Sequence, residues 1–337
     1  MRNELLLSIV IPAYNMELYI KDTLMSIYNQ EGKVQGKYET IVVDDGSKDA
    51  TSQVVNCFRE EHPGFNLTLL RQENKGVSAA RNNGLRVSKG KYVWFVDGDD
   101  AITSNSIAHI LDIIDHYAVD VIKIGPCISD VLLEDGTVLP FEQSVSFEKG
   151  ESLPAYHLLN ISSDFGHQTF LWKRNLLLSN SLFYPEDMTW NEDYCFLCHA
   201  LLKADKVYRN QTCRFYLYRS MAESTSRGKY DFWKFDKFFA NRILLLQKMK
   251  ELECGIDKIE VQKYFNEKFT DLKSNTIKWM VLNRIDGSII LYYCKKMRLL
   301  GIYPEINKTN IKEAFIGMLR NGCLVILASR IITMFRP

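Results

Sequence analysis

The chain has 337 residues, of which 46% are hydrophobic and 25% are charged, and its formal net charge is +1. These values are typical of a soluble globular protein with two domains, or with one large domain and an appended region. The balanced charge gives no overall field that would attract nucleic acid, so no nucleic-acid partner is expected. The eight cysteines show no regular spacing, and no secretory signal precedes them, which predicts free thiols in a reducing cytoplasm.

The first hundred residues alternate between strand patterns and helix patterns. Strands are predicted for residues 7–11, 40–43, 67–70 and 92–96. Apolar residues at helical spacing lie between them, and Asp49 is expected to cap the second of these helices. Strands that alternate with helices predict an α/β fold, in which a parallel sheet is built with right-handed crossovers.

Polar clusters follow three of these strands. The first strand leads into Pro12-Ala13-Tyr14-Asn15, the second into Asp44-Asp45-Gly46-Ser47 and the fourth into Asp97-Gly98-Asp99-Asp100. Because the carboxyl ends of parallel strands share one edge of the sheet, where ligands bind in open α/β folds, the three clusters are expected to form one pocket. Two carboxylates one residue apart suit Mg²⁺ or Mn²⁺ bound to a diphosphate, since both ions prefer oxygen ligands.

The second half of the chain has a less regular pattern. A strand is predicted at 120–124, a hairpin or excursion at 126–150 and a buried helix at 194–202. The Cys195-Phe196-Leu197-Cys198-His199 run has the spacing of a c-type haem attachment site, but a buried helix face with inert thiols is the preferred interpretation. From about residue 231 onward the pattern is helical throughout.

The last segment, 289–337, combines basic and apolar residues. It contains eight Lys or Arg residues but only two acidic ones, and it is rich in large apolar side chains. If it is helical, Lys312, Arg320 and Arg330 lie on one face. Such a basic amphipathic tail predicts binding to an anionic membrane surface; a solvated helix face or a dimer contact is the alternative. No uncharged apolar stretch approaches the roughly 18 residues that a spanning helix needs.

Five segments of this chain together resemble family 2 of the inverting glycosyltransferases. They are Ser8–Asn15, Ile41–Asp49, Asn74–Asn82, Gly90–Asp100 and Asn191–Asp193. The resemblance implies a GT-A fold over residues 1–228, which is a Rossmann-like, mostly parallel sheet flanked by helices. An all-helical C-terminal region, residues 229–337, would follow it. It also implies a nucleotide-sugar donor.

The resemblance assigns roles to individual positions. Those that match nucleotide-binding residues are Pro12, Tyr14, Asn15, Glu17, Asp45, Lys75, Arg81 and Asp97. Tyr14 offers a ring for stacking on the base, and Asp45 can accept the N3–H of a uracil. Lys75 and Arg81 would contact either the base or the phosphates. Asp97 and Asp99 match the pair that binds a divalent metal, Mn²⁺ or Mg²⁺, with Asp99 as the direct ligand.

Asp193 matches the catalytic base, which removes a proton from the acceptor hydroxyl as that oxygen attacks the sugar. Glu192 would orient Asp193 or an acceptor hydroxyl, and attack opposite the diphosphate would invert the anomeric centre. Tyr218-Arg219 and Ser224-Thr225-Ser226 match a loop that can close near the diphosphate. The chain has no Gln-x-x-Arg-Trp motif of processive members in the corresponding region, so one sugar is expected per event.

The sequence therefore predicts a metal-dependent transferase that adds one sugar, from a UDP-sugar, to a growing surface or capsular glycan. The acceptor is expected to be lipid-linked, and the protein to be cytoplasmic and peripheral at the inner face of the cell membrane. A nucleotidyltransferase or a dehydrogenase would need a glycine-rich loop after the first strand, which is missing. A non-catalytic nucleotide-sugar-binding or scaffold protein with the same fold remains the alternative. His167 is expected to be structural, with an approach to the metal or acceptor as its other possible role.

Overall fold

A computed structural model of the chain describes residues 4–32, 34–129, 150–160, 166–219, 232–282 and 287–304. The chain divides into two compact units, Met1–Lys229 and Tyr230–Pro337. The predicted boundary between residues 228 and 229 falls in a segment outside the described residues, so its position stays a prediction. Most of the predicted hairpin or excursion at 126–150 and the tail residues Lys312, Arg320 and Arg330 also lie outside the described residues.

The first unit is built around a mixed sheet of eight strands. In chain order the strands of this unit are β1 (Leu7–Ala13), β2 (Tyr38–Asp44), β3 (Leu67–Arg71), β4 (Tyr92–Phe95), β5 (Ala101–Ile102), β6 (Val121–Lys123), β7 (Ile128–Ser129), β8 (Glu151–Pro154), β9 (Phe170–Lys173), β10 (Lys206–Arg209) and β11 (Tyr216–Tyr218). The large sheet has the order β3-β2-β1-β4-β9-β6-β10-β8, and β5, β11 and β7 form a separate small sheet.

The helices of the first unit follow the strands in alternation. They are α1 (Ile20–Tyr28), α2 (Thr51–Glu61), α3 (Val77–Val87), α4 (Ser106–His116), α5 (Arg174–Ser179) and α6 (Glu192–Lys203). Two short 3-10 helices, Ala155–Asn160 and His167–Thr169, connect the later strands. The alternation predicted for the first hundred residues is confirmed, as is the buried helix near residue 194, in which Cys195 and Cys198 are both buried.

The parallel part of the large sheet places the candidate site. β1 pairs in parallel with both β2 and β4, and β2 pairs in parallel with β3. Every residue of β1 and β2 is buried, which explains their continuous Val and Ile content, because helices cover both faces of a parallel sheet. β9 runs antiparallel between β4 and β6. The sheet is therefore mostly parallel, as predicted, and the ends of β2, β1 and β4 are neighbours at one edge.

Helix α3 packs unusually close to β1. Ala80 is fully buried, and a Cβ on Gly84 would overlap the side chain of Val10, so the small residues predicted from the pattern are required by this contact. The predicted cap of the preceding helix is displaced by one residue: Ala50, not Asp49, holds the N-cap position of α2. Asp49 still accepts a hydrogen bond from the backbone N–H of Thr51 at 3.0 Å, so it satisfies a first-turn donor from outside the cap.

All the regular secondary structure that is described in the second unit is helical, as predicted. Its helices are α7 (Phe232–Glu253), α8 (Ile259–Leu282) and α9 (Gly287–Leu299). Phe239 and Ile243, four residues apart on α7, are both buried, which is the packing that their helical spacing predicts. Among the described helices, none combines the length and the apolar character that crossing a lipid bilayer requires.

Candidate active site

The loops after β1 and β2 are tied together by side chains that the sequence assigns to nucleotide binding. Asn15 adopts a left-handed backbone (φ 55°), and its side-chain oxygen accepts from the backbone N–H of Lys48 at 2.9 Å. Glu17 accepts from the backbone N–H of Ala50 at 2.8 Å. Both side chains thus hold the two loops in register. Pro12 lies within β1, and Tyr14 beside it is 38% exposed, which leaves its ring available for stacking.

The Asp45 carboxylate organises the chain that leads into α3. It is buried and accepts three hydrogen bonds at 2.8 Å, from Gln72 Nε2 and from the backbone N–H groups of Lys75 and Gly76. A carboxylate offers about four acceptor positions, so one position on Oδ2 remains for a ligand. The side chain of Lys75 is exposed.

Two glycines allow the strand-end loops to approach one another. Gly46 has a φ of +73°, and a Cβ there would lie 2.8 Å from the backbone nitrogen of Asn74. Gly98, between the two candidate metal ligands, would place a Cβ 3.1 Å from the carbonyl oxygen of Pro12. The loop after β4 therefore packs directly against the end of β1, and the nucleotide side and the acidic side of the site are contiguous.

The guanidinium of Arg81 connects the acidic side to α6. Its Nη2 donates to Asp97 Oδ1 at 2.9 Å, and its Nη1 lies 3.4 Å from Glu192 Oε1. The same Nη2 lies 3.2 Å from His167 Nε2, which must accept because a guanidinium has donors only. His167 Nδ1 is then left facing the hydroxyl of Tyr184 at 3.3 Å. His167 is thus buried beside the metal-motif carboxylate and engaged through both ring nitrogens.

Burial and charge set the protonation of these groups. Burial would lower the pKa of Arg81, but the Asp97 carboxylate beside it raises that pKa above its usual value. Burial would raise the pKa of Asp97, but the Arg81 guanidinium holds it well below its usual range. Burial and then the neighbouring charge of Asp193 raise the pKa of Glu192. Arg81 and Asp97 therefore form a charged pair, and Glu192 is the less strongly compensated acid.

Asp99 carries a partly buried carboxylate that follows β4. Burial and the charge of Asp97 raise its pKa to about 6. Within the part of the chain that the structure describes, no ion pair involves it, and no group of three or more His, Cys, Asp or Glu residues could enclose a metal. Two carboxylates with excess negative charge fit an ion that takes its other ligands from phosphate and water. Asp97 and Asp99 therefore fit the divalent metal that the sequence predicts.

A buried hydrogen-bond network holds the Asp97–Asp100 loop in place. The Tyr216 hydroxyl donates to Asp100 at 2.6 Å and accepts from the backbone N–H of Asp97 at 3.0 Å. Arg219 donates from Nε to the carbonyl oxygen of Asp99 at 2.8 Å and from Nη2 to Asp22 at 3.1 Å. Its side chain is completely buried, and these contacts hold the loop. Residues 224–226 of the same matched segment lie outside the described residues.

The candidate base stands at the start of α6. Asn191 precedes the helix with a left-handed backbone (φ 62°), which turns the chain into its first turn. Asp193 accepts from the backbone N–H of Tyr194 at 2.7 Å and is partly exposed. A carboxylate in the first turn is stabilised by the helix dipole. Asp193 therefore presents a partly exposed carboxylate at the start of α6.

Sequence reasoning missed the supporting groups. Tyr184, Tyr216, Asp100 and Asp22 were assigned no role, although each contacts a residue of the Arg81 or Arg219 networks. Asp100 adjoins the metal motif and was the only one with a local signal. The other three carry no motif or spacing that links their side chains to the site.

Comparison with known proteins gives a consistent family. Residues 8–165 match the family model described as Glycosyl transferase family 2. The minor teichoic acid biosynthesis protein GgaA of Bacillus subtilis is 33% identical over 226 residues, which are 65% of this chain and 48% of that protein. The poly(ribitol-phosphate) β-N-acetylglucosaminyltransferase TarS of Staphylococcus aureus is 30% identical over 201 residues, 59% of this chain and 33% of TarS. The chain thus spans half or less of the length of these two relatives.

Solved structures agree on the fold. Residues 1–349 of S. aureus TarS in complex with UDP superpose with a TM-score of 0.59 at 22% identity, over 96% of this chain and 80% of that one. The mannosyltransferase PcManGT of Pyrobaculum calidifontis, in complex with GDP-Man and Mn²⁺, gives a TM-score of 0.55 at 16% identity, over 98% of this chain and 87% of that one. Residues 8–165 therefore match a glycosyl transferase family 2 domain, the chain shares the GT-A fold of these solved structures, and it is similar to proteins of teichoic acid biosynthesis.

Proposed function

We propose that this protein is an inverting glycosyltransferase that moves one sugar from a UDP-sugar to a hydroxyl group of a bacterial surface polymer. The observation that carries the proposal is the placement of four acids at the ends of β2 and β4 and in the first turn of α6. Asp45 follows β2, Asp97 and Asp99 follow β4, and Asp193 is the second residue of α6, next to Glu192, which contacts Arg81. Asp45 supplies a hydrogen-bond acceptor for the nucleobase, and Asp97 and Asp99 supply the negative charge that binds a cation. Asp193 supplies a carboxylate that can take a proton.

The donor site is formed by the loops after β1 and β2. Tyr14 stacks on the uracil, and the free acceptor position of Asp45 receives its N3–H. Pro12, Asn15 and Glu17 keep this surface rigid through the contacts described above. The TarS structures with UDP and with UDP-GlcNAc support a uridine donor, and UDP-GlcNAc is the first sugar to test. The exposed Lys75 side chain contacts the base or the phosphates.

Asp97 and Asp99 would hold Mn²⁺ or Mg²⁺. When bound, such an ion neutralises negative charge on the departing diphosphate. The partly buried Asp99 carboxylate supports this role, as does the Mn²⁺ in the PcManGT structure. Asp97 is fixed by Arg81 and presents its second oxygen to the site.

Asp193 takes the proton of the acceptor hydroxyl as that oxygen attacks the anomeric carbon. A positioned carboxylate contributes about 10²–10⁴-fold to such a step. The bond to the diphosphate breaks on the opposite face, so an α-linked donor gives a β-linked product. The β-linked products in the names of TarS and of a Bacillus spizizenii relative support inversion.

The acceptor is proposed to be a teichoic-acid-type or capsular polymer that is lipid-linked at the inner face of the membrane. The names of the GgaA and TarS relatives support the polymer class. The basic tail of this chain supports a peripheral position on an anionic membrane surface, as judged from its sequence.

The decisive experiment combines nucleotide binding with turnover. Thermal stabilisation of the purified chain is measured with UDP, GDP, dTDP and CDP, each with and without Mn²⁺, because a ligand of the native state raises the melting temperature. UDP release is then followed with UDP-GlcNAc, UDP-Glc and UDP-GalNAc on poly(ribitol phosphate) and poly(glycerol phosphate). Metal-dependent stabilisation by UDP, together with turnover of at least one combination of donor and acceptor, supports the proposal. If UDP stabilises the wild type and Asp193→Asn equally but no combination is turned over, the scaffold alternative is favoured. Absence of stabilisation by every nucleotide contradicts the donor site.

A further inference from the structure

The cation of Arg81 is the meeting point of three elements that are distant in the chain. Arg81 lies on α3, Asp97 follows β4 and Glu192 opens α6, and both acids contact the same guanidinium. The ring of Tyr184 lies 5.1 Å from the guanidinium carbon, and Arg81 itself is only 4% exposed. Nucleotide binding by its side chain would require this buried charge to leave its partners.

The two ends of the guanidinium have different partners. Nη2 donates to Asp97 and Nη1 contacts Glu192, while the buried Nε has no hydrogen-bond partner within the described residues. A planar guanidinium can bridge two acids in this way, whereas a lysine ammonium is a single point charge. The two terminal nitrogens of the Arg81 guanidinium therefore connect Asp97, at the end of β4, to Glu192 at the start of α6.

Glu192 adjoins the candidate base. It is the first residue of α6 and Asp193 is the second, so fixing the Glu192 side chain fixes the first helical turn from which Asp193 projects. The preceding residue, Asn191, has a left-handed backbone and no side-chain cap bond to the helix. Arg81 thus supplies an anchor for the first turn of α6 through Glu192.

We propose that Arg81 is a positioning residue, which holds Asp193 in place through Glu192 and fixes its distance from the donor edge at Asp97. This inference rests on the proposed function, because it assumes that Asp193 is the base. It assigns Arg81 a role in the transfer step rather than in the affinity for the nucleotide.

A separation of turnover from binding tests the inference. In Arg81→Lys we expect kcat to fall about tenfold or more while the Kd for UDP changes less than about threefold. Arg86→Lys is the matched control, since Arg86 lies on the exposed face of the same helix. A rise in the Kd for UDP that accounts for the whole loss in kcat/KM would overturn the inference and make Arg81 a nucleotide contact.

A double-mutant cycle tests the route through Glu192. Glu192→Ala removes the link, whereas the amide oxygen of Glu192→Gln still accepts from Arg81 and should retain more activity. If Arg81 acts through Glu192, Arg81→Lys combined with Glu192→Ala should be no worse than the poorer single variant. Multiplicative losses would show independent roles and contradict the inference.

Hydrogen–deuterium exchange gives a measurement that does not depend on activity. The peptide that covers the start of α6 should exchange faster in Arg81→Lys and Glu192→Ala than in wild type or Arg86→Lys, because the first turn loses its anchor. Unchanged exchange in a folded Arg81→Lys protein would overturn the inference. If the wild type transfers no sugar but the exchange difference is found, the proposed function fails while the structural link stands.

Discussion

Arg219 donates from Nε to the carbonyl oxygen of Asp99 at 2.8 Å, so a fully buried cation supports the backbone of a candidate metal ligand from below. The same guanidinium donates to Asp22 on α1, and the backbone N–H of Arg219 donates to the Asp100 carboxylate. The Asp97–Asp100 loop is therefore held in part by Tyr216 and Arg219, which lie more than a hundred residues away in the sequence.

Replacing Arg219 with Met should destabilise the first unit and weaken the metal site together. Removal of the Arg219 donor costs about 1–3 kcal/mol, since it leaves the carbonyl oxygen of Asp99 without this hydrogen bond. We expect a lower melting temperature and a higher Mn²⁺ concentration for half-maximal stabilisation by UDP. Arg214→Met, at an exposed arginine five residues earlier, is the control. Equal behaviour of the two variants would contradict the supporting role.

Asp193→Asn should separate chemistry from binding. The amide keeps the shape of the side chain but cannot take a proton, so kcat should fall about 10²–10⁴-fold. The affinity for UDP, measured by calorimetry, should stay near that of the wild type. Asp187→Asn changes an exposed acid in the segment before α6 and should leave turnover unchanged. Full activity of Asp193→Asn would rule out this residue as the base.

Asp99→Asn should have opposite effects with and without metal. Burial and the charge of Asp97 raise the pKa of Asp99 to about 6, above the ordinary 3.8, so its ionised form destabilises the native state at pH 7. In EDTA the variant should therefore melt at a higher temperature than the wild type. That gain should decline from pH 6 downward and vanish below about pH 4, where Asp99 is protonated in both states.

With Mn²⁺ and UDP present, the order of melting temperatures should reverse. The wild type gains stability from the bound ligands, while Asp99→Asn lacks a charged metal ligand and gains less. Glu73→Gln changes an exposed acid near the loop into α3 and serves as the control. An equal metal-dependent gain in both proteins would exclude Asp99 as a metal ligand.

Gly46→Ala should disturb the nucleotide side of the site. Gly46 has a φ of +73°, and a Cβ would meet the backbone nitrogen of Asn74 at 2.8 Å. The strained backbone alone costs about 1–3 kcal/mol, and relief of the overlap must move the 72–76 loop that Asp45 holds. We expect lower stability and weaker UDP binding. Gly64→Ala, where a Cβ meets nothing within 4 Å, should show neither effect.

The sequence predicts the parallel half of the fold because its signals are local. The β-branched run of β2 and the polar residues that follow it lie within a few positions of each other, and the shared edge then follows from the topology. The antiparallel placement of β9 between β4 and β6 was not predicted, since a four-residue strand carries no signal for its partners. The alternation over the first hundred residues thus gives the architecture, but not the order of the later strands.

The site was predictable to the same extent. The acids after β2 and β4 stand at strand ends and were found, but their supports were not. His167 was expected to be structural, with an approach to the metal or acceptor as its other role, and its position beside Arg81 and Asp97 could not be read from the sequence. Arg81 was assigned to base or phosphate contact, and its burial between two acids depends on the packing of α3 against β1, which no residue spacing encodes.

The basic tail leads to a prediction about membranes. Its apolar residues and its excess of Lys and Arg favour binding to anionic lipid, at about 1 kcal/mol for each basic residue near the surface. The full chain should co-float with vesicles that contain phosphatidylglycerol and not with vesicles of phosphatidylcholine alone, and salt should weaken the binding.

Substitution of Lys312, Arg320 and Arg330 by Glu should abolish this flotation, because three attractive charges become repulsive. Turnover on a soluble acceptor should be unaffected, since the proposed donor site and base all lie before residue 220. Charge reversal at Lys258, Lys263 and Lys273 on or beside α8 gives a control with the same change in net charge. If both triple variants lose flotation equally, the attraction comes from the overall charge of the protein and not from its tail.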